Sequence, residues 1–157
     1  MVNTVGKNVT EAQAAYLAGL IDADGAIMAT IESHKETRFR FRVRVVVKVT
    51  QHKVDVLYWL QDTFGVGRGV QNRTTHYWIV KCRDDVRALL VTINPYLQVK
   101  PKQAALALVI LDTDPINQQE FLQMARQADA LSKLNVRSTN RRFNTAAMVE
   151  AAFSRND

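Results

Sequence analysis

Hydrophobic and polar positions divide the chain into helical and extended segments. The spacing of apolar residues changes from helical to alternating at Gly25, and residues 38–50 form the clearest alternating strand. The pattern predicts helices at 10–25, 52–64, 84–93, 101–111, 117–134 and 145–153, and strands at 26–33, 38–50, 67–73 and 76–82. This order predicts an α+β fold, with helices packed against one face of an antiparallel sheet.

Local signals mark the ends of these elements. Thr10 and Gln13 have the capping-box spacing, which predicts the start of the first helix. Gly25 is suited to end that helix in the left-handed conformation, and Gly65 ends the second helix. Turns are predicted at 35–37 and near 74–75. Because no repeat, low-complexity segment or long linker interrupts the pattern, residues 1–157 are predicted to form one domain.

The strand at 38–50 concentrates positive charge on one face. Side chains alternate across a sheet, so one face receives five basic residues and the other receives only Phe and Val. The basic residues are Arg38, Arg40, Arg42, Arg44 and Lys48. Such a face is either an ordinary solvated surface or a nucleic-acid contact. Like charges on one face repel, which favours the second interpretation.

Composition narrows the class of partner. Lys and Arg (21) exceed Asp and Glu (15), giving +6 over 157 residues, and this surplus favours a polyanion such as nucleic acid. The lone Cys82 excludes an intrachain disulfide and a cysteine-based zinc site, which favours a reducing, intracellular setting. No apolar run approaches the ~20 residues that span a bilayer, so no membrane partner is expected.

The first helix carries two further features. Ala15, Gly19 and Ala23 lie four residues apart, a spacing of small residues that lets two helix backbones approach closely. Asp22 and Asp24 lie in the last turn, where the helix dipole disfavours carboxylates. The two acids are either exposed to solvent, where they cost little folding stability, or part of a hard-cation site. Clustered carboxylates suit Mg²⁺.

Residues 17–25 spell LAGLIDADG, and the chain closely resembles the LAGLIDADG homing endonucleases, best the short, single-motif homodimeric members. The resemblance implies an αββαββα-like fold with a saddle-shaped, four-stranded antiparallel sheet that lies in the DNA major groove. It also implies that two motif helices pack together in a homodimer. The implied dimer-interface residues are Ala15, Ala18, Gly19, Asp22 and Ala23.

The resemblance further implies a catalytic site. Asp24 takes the position of the metal-binding acid, with help from the Gly25 carbonyl region or Asp22. Gln51 takes the position of a solvent-ordering glutamine, and Lys100 that of a catalytic-pocket lysine. The implied cofactor is Mg²⁺, for which Mn²⁺ can substitute. Family members often carry a basic residue one turn after the glutamine. This chain has Asp55 there, so His52 or Lys53 replaces it or the solvent network differs.

DNA contacts are implied along both hairpins and in two short basic clusters, of which the second matches a backbone-clamping segment. Together with the basic strand, these clusters could form a continuous phosphate-binding surface. The implied contacts are Thr30, Glu32, His34, Arg38, Arg40, Arg42, Arg44, Lys48, Arg68, Asn72, Arg73, His76, Trp78, Lys102, Arg137, Ser138, Arg141 and Arg142.

The function implied is metal-dependent cleavage of double-stranded DNA at a long, near-palindromic site, leaving short 3′ overhangs. Alternatives are an RNA maturase that assists intron splicing, and an inactive DNA-binding protein of the same fold. Regulators of the inactive kind usually lose the acid that this chain keeps at Asp24. A general RNA-binding domain fits the charge but leaves the motif helix unexplained. The resemblance also suggests a chloroplast or mitochondrial setting in a eukaryote, and otherwise a cytoplasmic one.

Overall fold

The computed structural model describes residues 8–135 and 144–156. Its elements follow the predicted order of helices and hairpins. They are α1 (Glu11–Asp24), β1 (Gly25–Ser33), β2 (Phe41–Thr50), α2 (Val54–Phe64), β3 (Arg68–Asn72), β4 (Thr75–Val80), α3 (Arg83–Ile93), a 3₁₀ turn (Asn94–Tyr96), α4 (Pro101–Leu111), α5 (Gln118–Leu134) and α6 (Ala146–Ser154). The predicted contacts Arg137, Ser138, Arg141 and Arg142 lie outside the described residues.

The four strands form one antiparallel sheet in the order β1-β2-β4-β3, which confirms the predicted α+β class. Helices cover one face. Ile27 pairs with Val47 and Val49 pairs with Trp78, and all four side chains are buried against them. The opposite face, which we call the open face, carries the alternate residues of each strand. Within the described ranges, no helix is long and apolar enough to cross a membrane.

The capping box at the start of α1 is confirmed: Thr10 Oγ1 accepts from the Gln13 backbone N–H, and Gln13 Oε1 accepts from Thr10 N–H. The predicted left-handed end at Gly25 is wrong. Gly25 is extended (φ −108°, ψ 179°) and begins β1. A Cβ there would lie 2.6 Å from Ile21 Cα and 2.9 Å from Lys48 O. Glycine is therefore required because α1 and β2 meet closely at this point.

The basic strand begins later than its alternation predicts. Arg38 and Arg40 lie in the 34–40 connection, where His34 N–H donates to Arg40 O at 2.8 Å. Arg40 has φ +63°, a left-handed conformation that breaks the strand. Thr37 Oγ1 donates to Phe41 O at 3.0 Å and closes the turn. Arg38 and Arg40 are therefore turn residues rather than members of a continuous cationic strand face.

The second turn also shifts from its predicted place. Arg73 and Thr74 form it, Arg73 with φ +54°, and Thr75 is already the first residue of β4. The predicted turn near 74–75 is displaced by one residue. Arg73 therefore belongs to the tip of this hairpin, beyond the ends of both of its strands.

Side chains at the end of α5, just after it and just before α6 cover the outer edge of β1. Ser132 Oγ donates to Ala29 O at 3.4 Å, Asn135 Nδ2 to Ile27 O at 2.9 Å, and Asn144 Nδ2 to Ile31 O at 2.9 Å. These three carbonyls point away from β2, so they would otherwise stand unpaired at the sheet edge. The contacts fasten the end of α5 and the approach to α6 to the sheet.

Candidate active site and nucleic-acid interface

Asp24 and Gln51 meet where two elements end. Asp24 is the last residue of α1, and Gln51 follows the last residue of β2. Gln51 Nε2 donates to Asp24 Oδ2 at 2.9 Å, while the Gln51 backbone N–H donates to His76 O at 3.1 Å. Asp24 is exposed, and no described residue donates to its Oδ1. The predicted acid and glutamine therefore form one site with a carboxylate oxygen open to solvent.

Asp22 serves a different purpose from its neighbour. Its carboxylate accepts from the backbone N–H groups of Gln98 (2.8 Å) and Lys100 (3.0 Å). These bonds hold the segment before α4 against the end of α1, which accounts for an acid placed against the helix dipole. Because both oxygens are engaged within the chain, the structure does not support Asp22 as a metal ligand or as a dimer contact.

Lys100 closes the C-terminal end of α1. Its Nζ donates to Ile21 O (2.6 Å), Asp22 O (3.0 Å) and Gly25 O (2.8 Å). Helices leave their last carbonyls without partners, and here the ammonium group supplies them. Burial lowers the pKa of Lys100, and Asp22 and then Asp24 oppose that shift. The Gly25 carbonyl already faces an ammonium group, so it does not fit the role of cation ligand.

The described side chains suit a metal ion that takes some of its ligands from the protein and the rest from a bound substrate. Within residues 8–135 and 144–156, no group of three or more His, Cys, Asp or Glu could hold an ion alone. Mg²⁺ commonly takes one or two carboxylates and completes its shell with phosphate and water. Asp24, with one oxygen open, matches that requirement. A 490 Å³ cavity lined by Asp24, Lys48, Thr50 and Lys100 joins this corner to the open face.

The pairing register of the four strands places most of the predicted hairpin contacts on the open face. Glu32 pairs with Arg42, Thr30 with Arg44, and Arg68 with Ile79. The predicted contacts that share this face are Thr30, Glu32, Arg42, Arg44, Lys48, Arg68 and Asn72. His34, Arg38, Arg40 and Arg73 lie in the connecting turns, and Lys102 is exposed in the first turn of α4. The sheet therefore presents a mainly basic surface.

Trp78 and His76 lie on the opposite face, so the predicted groove contact of the buried Trp78 is wrong, and that of the half-buried His76 is not one the open face makes. Trp78 is fully buried, and its Nε1 donates to Val66 O at 3.0 Å. His76 is two residues away on the same strand and shares its face. Tyr77 is the residue that sequence reasoning missed. It lies on the open face, and Lys48 Nζ stands 4.0 Å from its ring centroid. Recognising Trp78 as a core residue would have placed it there.

The small residues of α1 lie on its exposed side. Ala15, Gly19 and Ala23 are exposed, while Ala18 is fully buried in the core and is excluded from the predicted interface. A Cβ added at Gly19 would meet no atom within 4 Å. Nothing in the described chain therefore requires glycine at that position.

An aromatic pair borders this stripe. The rings of Tyr16 and Trp59 pack edge to face at 5.3 Å and remain 50% and 36% exposed. A 540 Å³ cavity beside them is lined also by Lys53 and Asp55. Apolar exposure of this kind, next to small residues, is typical of a surface that another chain covers.

Comparisons with known proteins agree with this geometry. The LAGLIDADG endonuclease family model matches residues 17–110. DNA endonuclease I-CreI of Chlamydomonas reinhardtii is 29% identical over 132 residues, 80% of each chain. DNA endonuclease I-CvuI of Chlorella vulgaris is 34% identical over 104 residues, covering 64% of this chain and 65% of that one.

Solved structures show the same architecture. I-CvuI in complex with the I-CreI target, in 2 mM Mg and with the DNA not cleaved, matches at a TM-score of 0.85 and 28% identity, over 92% of this chain and 94% of that one. The archaeal intron-encoded homing endonuclease I-Vdi141I, complexed with DNA, shares the fold at a TM-score of 0.81 and 19% identity, over 92% and 96% of the two chains.

Proposed function

Because this chain belongs to the LAGLIDADG endonuclease family, we propose that it is a site-specific endonuclease that hydrolyses double-stranded DNA with a divalent metal ion. One observation carries the proposal: the exposed Asp24 carboxylate, held by Gln51, stands at the end of the motif helix beside a basic open face. The relatives I-CreI and I-CvuI are both DNA endonucleases. A solved complex of I-CvuI contains target DNA.

Asp24 would hold the metal, which we propose to be Mg²⁺ with Mn²⁺ as a substitute. When bound, the ion would neutralise phosphate charge and make water a stronger nucleophile. Gln51 uses its amide N–H group to orient Asp24, which leaves its carbonyl oxygen to accept from a solvent molecule. Lys100 was expected to stabilise developing charge directly. Three carbonyls accept from its ammonium group in the free chain, and we propose that its main role is to fix the end of α1.

We propose that two copies assemble through the exposed side of α1. An exposed helical glycine costs about 0.5–1 kcal/mol relative to alanine, and no contact in the described chain explains Gly19. Close approach of a second α1 does explain it. Tyr16 and Trp59 would be covered at the border of the same contact. A two-fold assembly would bring two copies of Asp24 together, one for each DNA strand.

DNA would lie across the open faces of the two sheets. Because a two-fold protein presents the same surface twice, the preferred target would be long and near-palindromic. The family resemblance adds cleavage to short 3′ overhangs. Arg42, Arg44, Lys48 and Arg68 would face the bases and phosphates on each side.

The test is cleavage of a randomised duplex library in Mg²⁺, followed by sequencing of the cut ends. Asp24→Asn is run in parallel, with Asp62→Asn, an exposed acid in α2, as the matched control. We expect the wild type and Asp62→Asn to cut one near-palindromic sequence and Asp24→Asn to cut none. If no protein cuts but all retain the same sequences, the chain is a DNA-binding protein and the proposed hydrolysis is wrong.

A further inference from the structure

Glu32 is an acid on a surface that otherwise suits phosphate. Among the strand residues of the open face it is the only Asp or Glu, and it pairs across the strands with Arg42. Glu32 Oε2 accepts from Arg42 Nε at 2.6 Å, and its Oε1 lies 3.7 Å from Arg44 Nε. The side chains of all three residues are only partly exposed. One carboxylate therefore bridges two arginines.

The contact uses a particular edge of each guanidinium group. Glu32 faces the Nε atoms of Arg42 and Arg44. No described residue accepts a hydrogen bond from the Nη1 or Nη2 atom of either arginine. The terminal nitrogens are the pair that can bind guanine O6 and N7 together in the major groove. Glu32 thus holds Arg42 by a hydrogen bond and Arg44 by ion-pair attraction, without consuming the donors that distinguish a base pair.

A fixed guanidinium discriminates better than a mobile one. A long arginine side chain that swings loosely can follow a phosphate or any nearby acceptor, and this adds affinity without sequence preference. The charge of Glu32 also offsets part of the attraction to phosphate, which acts on every sequence equally. Both effects act in the same direction, because each raises the ratio of specific to non-specific binding.

We propose that Glu32 is a positioning residue for sequence discrimination: it holds Arg42 and Arg44 by their Nε edges so that their terminal nitrogens meet guanine. The inference rests on the proposed DNA endonuclease function. It assigns to this acid no contact with the DNA itself. Glu32 was expected from the family resemblance to contact DNA, and the proposal replaces that role with one exerted through the two arginines.

The experiment starts from the duplex that the wild-type protein enriches from a randomised library. Affinity in Ca²⁺ is measured for that duplex, for single-substitution variants at each G·C pair, and for an unrelated duplex. The variants are Glu32→Ala and Glu32→Gln. Glu36→Ala is the control, because Glu36 is an exposed acid of the 34–40 turn that pairs with no described residue.

We expect Glu32→Ala to lose discrimination by about ten-fold at one or two G·C positions of each half-site. Affinity for the unrelated duplex should hold or rise, since a negative charge is removed. Glu32→Gln keeps a carbonyl acceptor and should lose less discrimination. Glu36→Ala removes the same charge and should leave discrimination unchanged. In an Arg42→Ala background, Glu32→Ala should add little at the position that Arg42 recognises, because coupled residues are not additive.

Unchanged discrimination in Glu32→Ala overturns the proposal. So does an equal loss on every duplex with a lower melting temperature, because that result assigns Glu32 a purely structural role. Additive effects of Glu32→Ala and Arg42→Ala also contradict it. A wild-type protein that enriches no sequence gives a separate result: it overturns the proposed DNA endonuclease function, and this inference with it.

Discussion

Gln51 Nε2 lies 2.9 Å from Asp24 Oδ2, which joins the end of β2 to the end of the motif helix. The contact turns one carboxylate oxygen toward the protein and leaves the other toward solvent. It also couples the sheet that would carry DNA to the acid that would carry the metal. The orientation of Asp24 therefore depends on the position of β2.

Gln51→Ala should lower the cleavage rate about 10–100-fold, the usual effect of removing a group that orients a metal ligand. DNA affinity should stay unchanged, because Gln51 supplies no charge to the open face. Single-turnover cleavage in Mg²⁺ and binding in Ca²⁺ separate the two quantities. Gln123→Ala, an exposed amide on α5, is the control. A parallel loss of affinity and rate would show that Gln51 acts on binding instead.

Gly19→Leu should separate the proposed dimer without unfolding the chain. A Cβ at this exposed position meets no atom of the described chain within 4 Å, and a leucine pointing outward from it would block a second α1. Leucine also has a higher helix propensity than glycine, by about 0.5–1 kcal/mol, so the monomer should be at least as stable. Sedimentation and thermal denaturation measure both effects. Ala105→Leu, an exposed position on α4, should remain dimeric. A Gly19→Leu dimer of unchanged stability would place the interface elsewhere.

Asp22→Asn and Asp24→Asn should have opposite signatures. Asp22 accepts two backbone hydrogen bonds, and an amide can accept only one of them, so its substitution should cost about 1–3 kcal/mol of folding stability. Asp24→Asn should abolish cleavage while stability holds or rises, because an acid leaves the negative end of the helix dipole. Thermal melts and cleavage assays test both variants. Equal stability losses would contradict the division of roles.

Lys100→Met should destabilise the fold by about 1–3 kcal/mol, because three part-buried carbonyls lose a charged donor. Cleavage should fall as well, since the end of α1 carries Asp24. Lys100→Arg should not restore stability, because a planar guanidinium cannot point three donors at one small cluster of acceptors. Lys102→Met, at an exposed position two residues further along in α4, is the control for denaturation. Stability unaffected by Lys100→Met would exclude the capping role.

Periodicity and capping signals were enough to predict the order of helices and hairpins, because each depends on neighbours in the sequence. The family resemblance assigned Asp24 and Gln51 to one catalytic site, and in the structure the two side chains are joined by a hydrogen bond. The roles of Asp22 and Lys100 were not accessible from local pattern. Their hydrogen bonds join residues at least 75 positions apart, and they form only once the segment before α4 lies against the end of α1.

The wrong predictions for the start of β2 and for the faces of β4 have a common cause. Alternation in the sequence continues through Arg38 and Arg40, but backbone hydrogen bonds close a turn there, and composition does not reveal them. In β4, the alternation of large residues left the register open by one position. Burial of Trp78 settles that register and turns Tyr77 outward. Periodicity identifies two faces, whereas packing decides which of them is inside.

The covered edge of β1 bears on how far self-association can proceed. Ser132, Asn135 and Asn144 already occupy its outward carbonyls, so a strand from another molecule has no row of acceptors on which to grow. Polymerisation through this edge, of the kind that ends in cross-β fibres, is thereby disfavoured. A contact that uses the same helix face of each copy, across a two-fold axis, is complete once two copies have joined. Covering the β1 edge thus favours a finite assembly through α1 over open-ended growth from β1.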